Sequence, residues 1–184
     1  MLGSDLSAEA RYEALVIPDI RAACDLLLPA YVSSSGVAGY VSLEVSPALA
    51  DDALGTVAAG QRLHQAVKRA NLLIKVPATP AGLEAFEQLT ASGMSVNVTL
   101  IFSLAQYELV VQAYLRGAFN WLESGGDTRK LRSVASVFLS RVDTLVDKRL
   151  DAIGSNQALA LKGRAGVALA KVCYQRYQAI FQGP

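Results

Sequence analysis

The 184-residue sequence predicts an α/β protein, a parallel (β/α) barrel of TIM type, here a partial barrel of about four βα units forming one domain over residues 1–184. Three observations carry this expectation. Short runs rich in β-formers alternate with stretches of helical period, which requires parallel pairing through right-handed crossovers. The runs are nearly continuous in apolar residues, which implies burial on both faces. The turns after them (Ser46-Pro47, Ala78-Thr79, Ile101-Phe102-Ser103, Ser140-Arg141) lack the glycines of a doubly wound nucleotide-binding sheet. A full barrel takes about 250 residues, so four strands amount to half of one.

The elements follow in order. Ile20, Ala23, Cys24, Leu27, Leu28 and Tyr31 fall at helical spacing, with Pro18 suited to a first helical position and Ser33–Gly36 to a loop. Gly39–Val45 is a strand, and a helix over about 52–69 carries Val57, Gly60, Leu63 and Val67 on one side. Leu72–Pro77 is the second strand. Thr79 caps the next helix, Pro80 opens it, Leu83, Phe86 and Leu89 form its stripe, and Gly93 stops it. Ser95–Leu100 is the third strand, and Ser103 caps a long helix through Tyr107, Val111, Tyr114, Ala118 and Leu122 that Gly125-Gly126-Asp127 ends. Ser133–Leu139 is the fourth strand, followed by a helix bearing Val142, Leu145, Val146, Leu150 and Ile153. One last helix spans about 157–182.

Composition narrows the function. Seventeen Lys+Arg against 16 Asp+Glu give a net charge of +1 with no like-charged run, which offers nothing to nucleic acid or an anionic membrane. Although 52% of residues are hydrophobic, no stretch approaches the roughly 20 apolar residues of a membrane span. The first residues lack the pattern of a secretory signal. Cys24 and Cys173 lie far apart and the single histidine, His64, flanks a helical stripe, so neither a disulfide framework nor a zinc site is expected. The expectation is a cytoplasmic protein that uses no metal or other cofactor.

Each strand nevertheless carries polar residues: Glu44, Lys75, Asn97 with Thr99, and Ser136. The C-terminal ends of barrel strands form active sites, so the four strands contribute to one observation. Lys75, between Ile74 and Val76, is expected to be desolvated, which favours the neutral amine, a nucleophile towards carbonyl carbon. Pairing with Glu44, or snorkelling from the strand end, is the structural alternative. Glu44 suits a proton carrier, Asn97 a hydrogen-bonding group for a polyol, and Arg141 an anion clamp. Trp121 and the tyrosines of the long helix suit packing.

The run Leu72-Leu73-Ile74-Lys75-Val76-Pro77-Ala78-Thr79-Pro80-Ala81-Gly82-Leu83-Glu84-Ala85 closely resembles the lysine signature of the transaldolase family. Gly39–Pro47 resembles the family's preceding strand, Val96–Ser103 the following one, and Ser133–Thr144 the phosphate-side strand and loop, all nearest to the bacterial branch. The resemblance implies transfer of a dihydroxyacetone unit between sugar phosphates in the pentose phosphate pathway. Sedoheptulose 7-phosphate, glyceraldehyde 3-phosphate, fructose 6-phosphate and erythrose 4-phosphate would be its substrates. It further implies that Lys75 forms the Schiff base, that Glu44 assists dehydration through a water, and that Thr99 orders that water. Asn97 would bond the retained three-carbon unit, Ser136 and Arg141 would contact the sugar phosphate, and Phe138 would wall the pocket.

Family members begin with two further βα units, one carrying the aspartate that takes the proton in carbon–carbon cleavage and one an asparagine. No residue here matches either; Asp5, Glu9, Glu13, Asp19 and Asp25 lie in helix-like text. The last two strands, with a second phosphate-binding arginine, would follow the final helix. The expectation is therefore a Schiff-base enzyme impaired in turnover. The alternatives are a non-catalytic half-barrel that pairs with itself, as a homodimer, or with a complementary chain, and a lyase-like relative.

Overall fold

A computed structural model of the chain describes residues 7–183, so Asp5 lies outside the described residues. Helix α1 (Ala8–Ser33) leads to strand β1 (Val41–Glu44), then α2 (Ala53–Val67), β2 (Leu72–Pro77) and α3 (Pro80–Ala91). Strand β3 (Val96–Ile101), α4 (Leu104–Glu123), β4 (Ser133–Val137), α5 (Ser140–Ile153), α6 (Asn156–Leu159) and α7 (Ala165–Phe181) complete the order. The four strands are parallel and neighbour one another in chain order. Sequential order with right-handed crossovers places the connecting helices on one face. This α/β fold with one four-stranded parallel sheet is consistent with a partial barrel of TIM type.

Local chemistry sets the element ends. Thr79 Oγ1 accepts from the Gly82 N–H and Ser103 Oγ from the Gln106 N–H, so both expected caps are present, and Pro80 occupies the first turn. Gly82 is required by close approach: a Cβ there would stand 1.9 Å from the Pro77 carbonyl oxygen. Gly39 adopts φ +81° where the chain turns under Tyr31, so β1 begins at Val41 rather than at Gly39.

The apolar core fills the space between helices and sheet. Leu72, Ile74 and Val76 of β2 and Val96 and Val98 of β3 are at most 2% exposed, packed with Phe86 and Leu89 of α3 and Leu63 and Val67 of α2. Phe86 stacks on Tyr114 of α4 at 6.3 Å. Burial on both faces, expected of every strand, is approached only in β2 and β3, where Lys75 and Asn97 on the second face stay part-exposed. β1 and β4 are the sheet edges, each paired on one side, and β4 has no fully buried residue.

Four expectations are corrected. Pro18 does not open its helix: Ser7 caps α1, and Pro18 and Pro29 are internal. Each proline removes a bond to the carbonyl four residues back, and the residues that carry those carbonyls, Ala14 and Asp25, are exposed. The single final helix is broken at Gly163 (φ +68°), whose N–H donates to the Asp147 carboxylate at 2.9 Å. β4 ends at Val137, because Leu139 is the N-cap of α5. β3 runs on to Ile101 through an irregularity at Leu100, which has φ +63°. Some stripe residues are also more exposed than expected: Leu122 of α4 and Leu145 and Ile153 of α5 are over half exposed.

Candidate active site

Alternation along the strands divides the sheet into two faces. Leu43, Ile74, Val96 and Val98 face the helices, whereas Ser42, Glu44, Lys75, Asn97 and Ser136 alternate onto the opposite, inner face. Register then aligns the polar residues. Glu44 of β1 is the Cα partner of Lys75 of β2, and Lys75 is that of Asn97 of β3. Three neighbouring strands thus present a carboxylate, an amine and an amide in one row.

Within this row Lys75 Nζ donates to Glu44 Oε2 at 3.1 Å, with the lysine side chain 27% and the glutamate side chain 46% exposed. The expectation of a desolvated Lys75 is therefore corrected. Among the described residues no helix covers the inner face, and the amine stands in a partly solvated ion pair, the structural alternative that the sequence already allowed. Asn97 is held at both ends: its Nδ2 donates to Ser42 Oγ at 3.0 Å, and its Oδ1 accepts from Ser136 Oγ at 2.8 Å. Thr99, 1% exposed, carries a buried hydroxyl with no hydrogen-bond partner among the described residues.

A second group lies at the end of β4. The Arg141 guanidinium sits 4.8 Å from the centroid of the Phe138 ring, and Phe138 tilts against Phe102 at 5.4 Å. Arg141 is exposed on the first turn of α5. Unlike those of α1 to α4, that helix start has no side-chain cap, so its first N–H groups and the guanidinium are both available to an anion. Glu44 with Lys75, Asn97 with Ser136, and Phe138 with Arg141 are the contacts among the expected site residues.

Two contributors escaped the sequence reading. Ser42 is one, and its place two residues before Glu44 was the available signal. Gln106 is the other: its Oε1 accepts from the Phe102 N–H and its Nε2 donates to the Ala78 carbonyl, both at 2.9 Å. Thr79 Oγ1 likewise donates to the Ala50 carbonyl. The loops after β1, β2 and β3 are thereby braced to one another at the end of the sheet where the polar residues cluster.

Other titratable candidates lie elsewhere. Cys24 and Cys173 are buried, unpaired with each other, and burial pushes both thiols up, which disfavours the thiolate. Burial lowers the pKa of His64, which sits on α2 behind the sheet. No helix among the described residues is long and apolar enough to cross a membrane.

The sequence model described as transaldolase/fructose-6-phosphate aldolase matches residues 2–182. A transaldolase of Thiobacillus denitrificans is 56% identical over 180 residues, covering 98% of this chain and 50% of the relative. Transaldolases of Kocuria rhizophila (49%) and Mycolicibacterium smegmatis (50%) are similar over 97% of this chain and 48% of theirs. The chain spans about half the length of the curated relatives it matches. A parallel sheet with a lysine–glutamate pair on its inner face and a match over nearly all of its residues lead to one assignment: the chain belongs to the transaldolase/fructose-6-phosphate aldolase family.

Proposed function

We propose that this chain carries the Schiff-base half of transaldolase chemistry on sugar phosphates, with Lys75 as nucleophile. The observation that carries the reading is the Lys75–Glu44 contact on the inner face, one register step from Asn97. Lys75 passes a proton to Glu44, and the neutral amine adds to the ketose carbonyl to give a carbinolamine. Glu44 returns the proton, through a water, to the departing hydroxyl, and loss of water leaves the imine. The ordering of that water is assigned to Thr99 from the family resemblance; its hydroxyl is buried beside this row without a partner among the described residues. Asn97 bonds the hydroxyls of the dihydroxyacetone unit. Ser136, Arg141 and the uncapped start of α5 take the phosphate, with Phe138 as the wall. No metal or cofactor enters these steps.

Sedoheptulose 7-phosphate and fructose 6-phosphate are the proposed donors, and glyceraldehyde 3-phosphate and erythrose 4-phosphate the acceptors, as in the pentose phosphate pathway. The buried free thiols suit a cytoplasmic setting. No residue here matches the cleavage aspartate of the family, so transfer by this chain alone is expected near background. A rate of about 1–10³ per second would overturn that part. The unpaired sides of β1 and β4 suit a homodimer, for which light scattering of a monodisperse monomer would be the contrary result.

Borohydride reduction in the presence of fructose 6-phosphate, followed by peptide mass mapping, tests the central step. The expected result is a sugar-derived mass on Lys75 that Lys75→Met abolishes. Labelling spread over surface lysines and unchanged in that variant would overturn the reading.

A further inference from the structure

We propose that Ser42 is a positioning residue for the three-carbon part of the substrate, acting through Asn97; the inference rests on the Schiff-base reading above. Ser42 sits on the inner face of β1, and its Oγ accepts from Asn97 Nδ2 at 3.0 Å although β2 lies between the two strands. From the other side, Ser136 Oγ of β4 donates to Asn97 Oδ1 at 2.8 Å. A serine–asparagine–serine belt therefore spans the inner face of the sheet from edge strand to edge strand.

The terminal torsion of an asparagine side chain is broad and roughly two-fold, so an amide held at one end still swings. Held at both ends, it presents what remains in one place: a second N–H on Nδ2 and a second lone pair on Oδ1. That is one donor and one acceptor, the complement of a hydroxyl, one register step from the lysine that would hold the adjacent carbon. Ser42 and Asn97 are only part-buried, so stability gives little reason for the bond. Its consequence is geometric: it sets where the amide meets the hydroxyls of the bound unit. Ser42 itself touches neither the carbonyl nor Lys75 in this scheme.

The test compares two ketones in borohydride trapping on the full chain, one with hydroxyls for Asn97 to bond (dihydroxyacetone) and one without (acetone). Ser42→Ala is expected to raise the half-saturating dihydroxyacetone concentration by about 3- to 10-fold, the loss of one hydrogen bond, and to leave acetone trapping unchanged. Ser42→Thr, which keeps the hydroxyl, is expected to restore dihydroxyacetone trapping. In an Asn97→Ala background, Ser42→Ala is expected to have no further effect, which keeps the idea testable should the single variant fold poorly. Equal losses with both ketones, no loss with either, or an additive double variant would overturn the role of Ser42 alone. Absence of labelling on Lys75 in the unsubstituted chain would overturn the Schiff-base reading and this inference with it.

Discussion

The two faces of the sheet share one backbone and differ in almost everything else. Ile74 and Lys75 are consecutive in β2. Ile74 is fully buried between α2 and α3, where Gly60 and Leu89 meet it, whereas Lys75 lies on the face that no helix among the described residues covers and bonds Glu44 of the neighbouring strand. The helix face is packed and dry, and burial there supplies the favourable free energy of folding. The inner face is hydrogen-bonded and part-solvated, and its polar groups are arranged by the ladder that the other face holds in register. One face therefore stabilises the geometry that the other uses, and substitutions on the two sides have separable consequences.

The sharpest way to break this comparison is to substitute neighbours. Ile74→Ala is expected to cost about 2–5 kcal/mol in urea denaturation, because the well-packed core cannot close the space. That is a large share of the roughly 5–15 kcal/mol of a folded domain. Gly82→Ala comes next, at about 1–3 kcal/mol, since its methyl would meet the Pro77 carbonyl at 1.9 Å and push α3 off the end of β2. Lys75→Met is expected to change the denaturation midpoint by less than about 1 kcal/mol, because both partners of its ion pair reach solvent, while it abolishes labelling. A Lys75→Met loss as large as that of Ile74→Ala would refute the separation of the two faces.

The smallest expected effect concerns the outer layer, where α1 is tied to the region of α2. The Arg62 guanidinium bonds Glu13 through both carboxylate oxygens and holds that carboxyl below its usual range against the opposing effect of burial. Arg69 does the same for the more exposed Asp25. A carboxyl whose folded pKa is depressed contributes stability above its unfolded value, about 4, and that contribution is lost as pH falls through the folded value. Acid is therefore expected to loosen α1 first. Glu13→Gln should remove part of that pH dependence and cost about 0.5–1 kcal/mol at neutral pH, measured by urea denaturation at pH 7 and pH 3. A pH dependence unchanged by Glu13→Gln would assign the acid sensitivity to other carboxylates.

By itself the sequence determined what depends on neighbours along the chain. Thr79, Pro80 and Ser103 mark helix starts through bonds that span three residues, and Gly93 ends a helix through its own φ. The apolar runs of β2 and β3 marked them as strands of a parallel sheet and singled out Lys75 and Asn97 as the polar residues within them. The lysine run around residue 75 is specific enough to carry the family. Tertiary structure decided everything that depends on what lies across space. Pro18 and Pro29 are internal to α1, where the residues four places back, Ala14 and Asp25, are exposed, and helical spacing does not reveal exposure. The environment of Lys75 turned on an inner face left uncovered among the described residues, which its flanking isoleucine and valine concealed, since they point the other way. The belt from Ser42 through Asn97 to Ser136 joins residues 55 and 39 positions apart. No local pattern encodes such a reach; it exists because strand register, held by the packed face, brings three polar side chains together on the other.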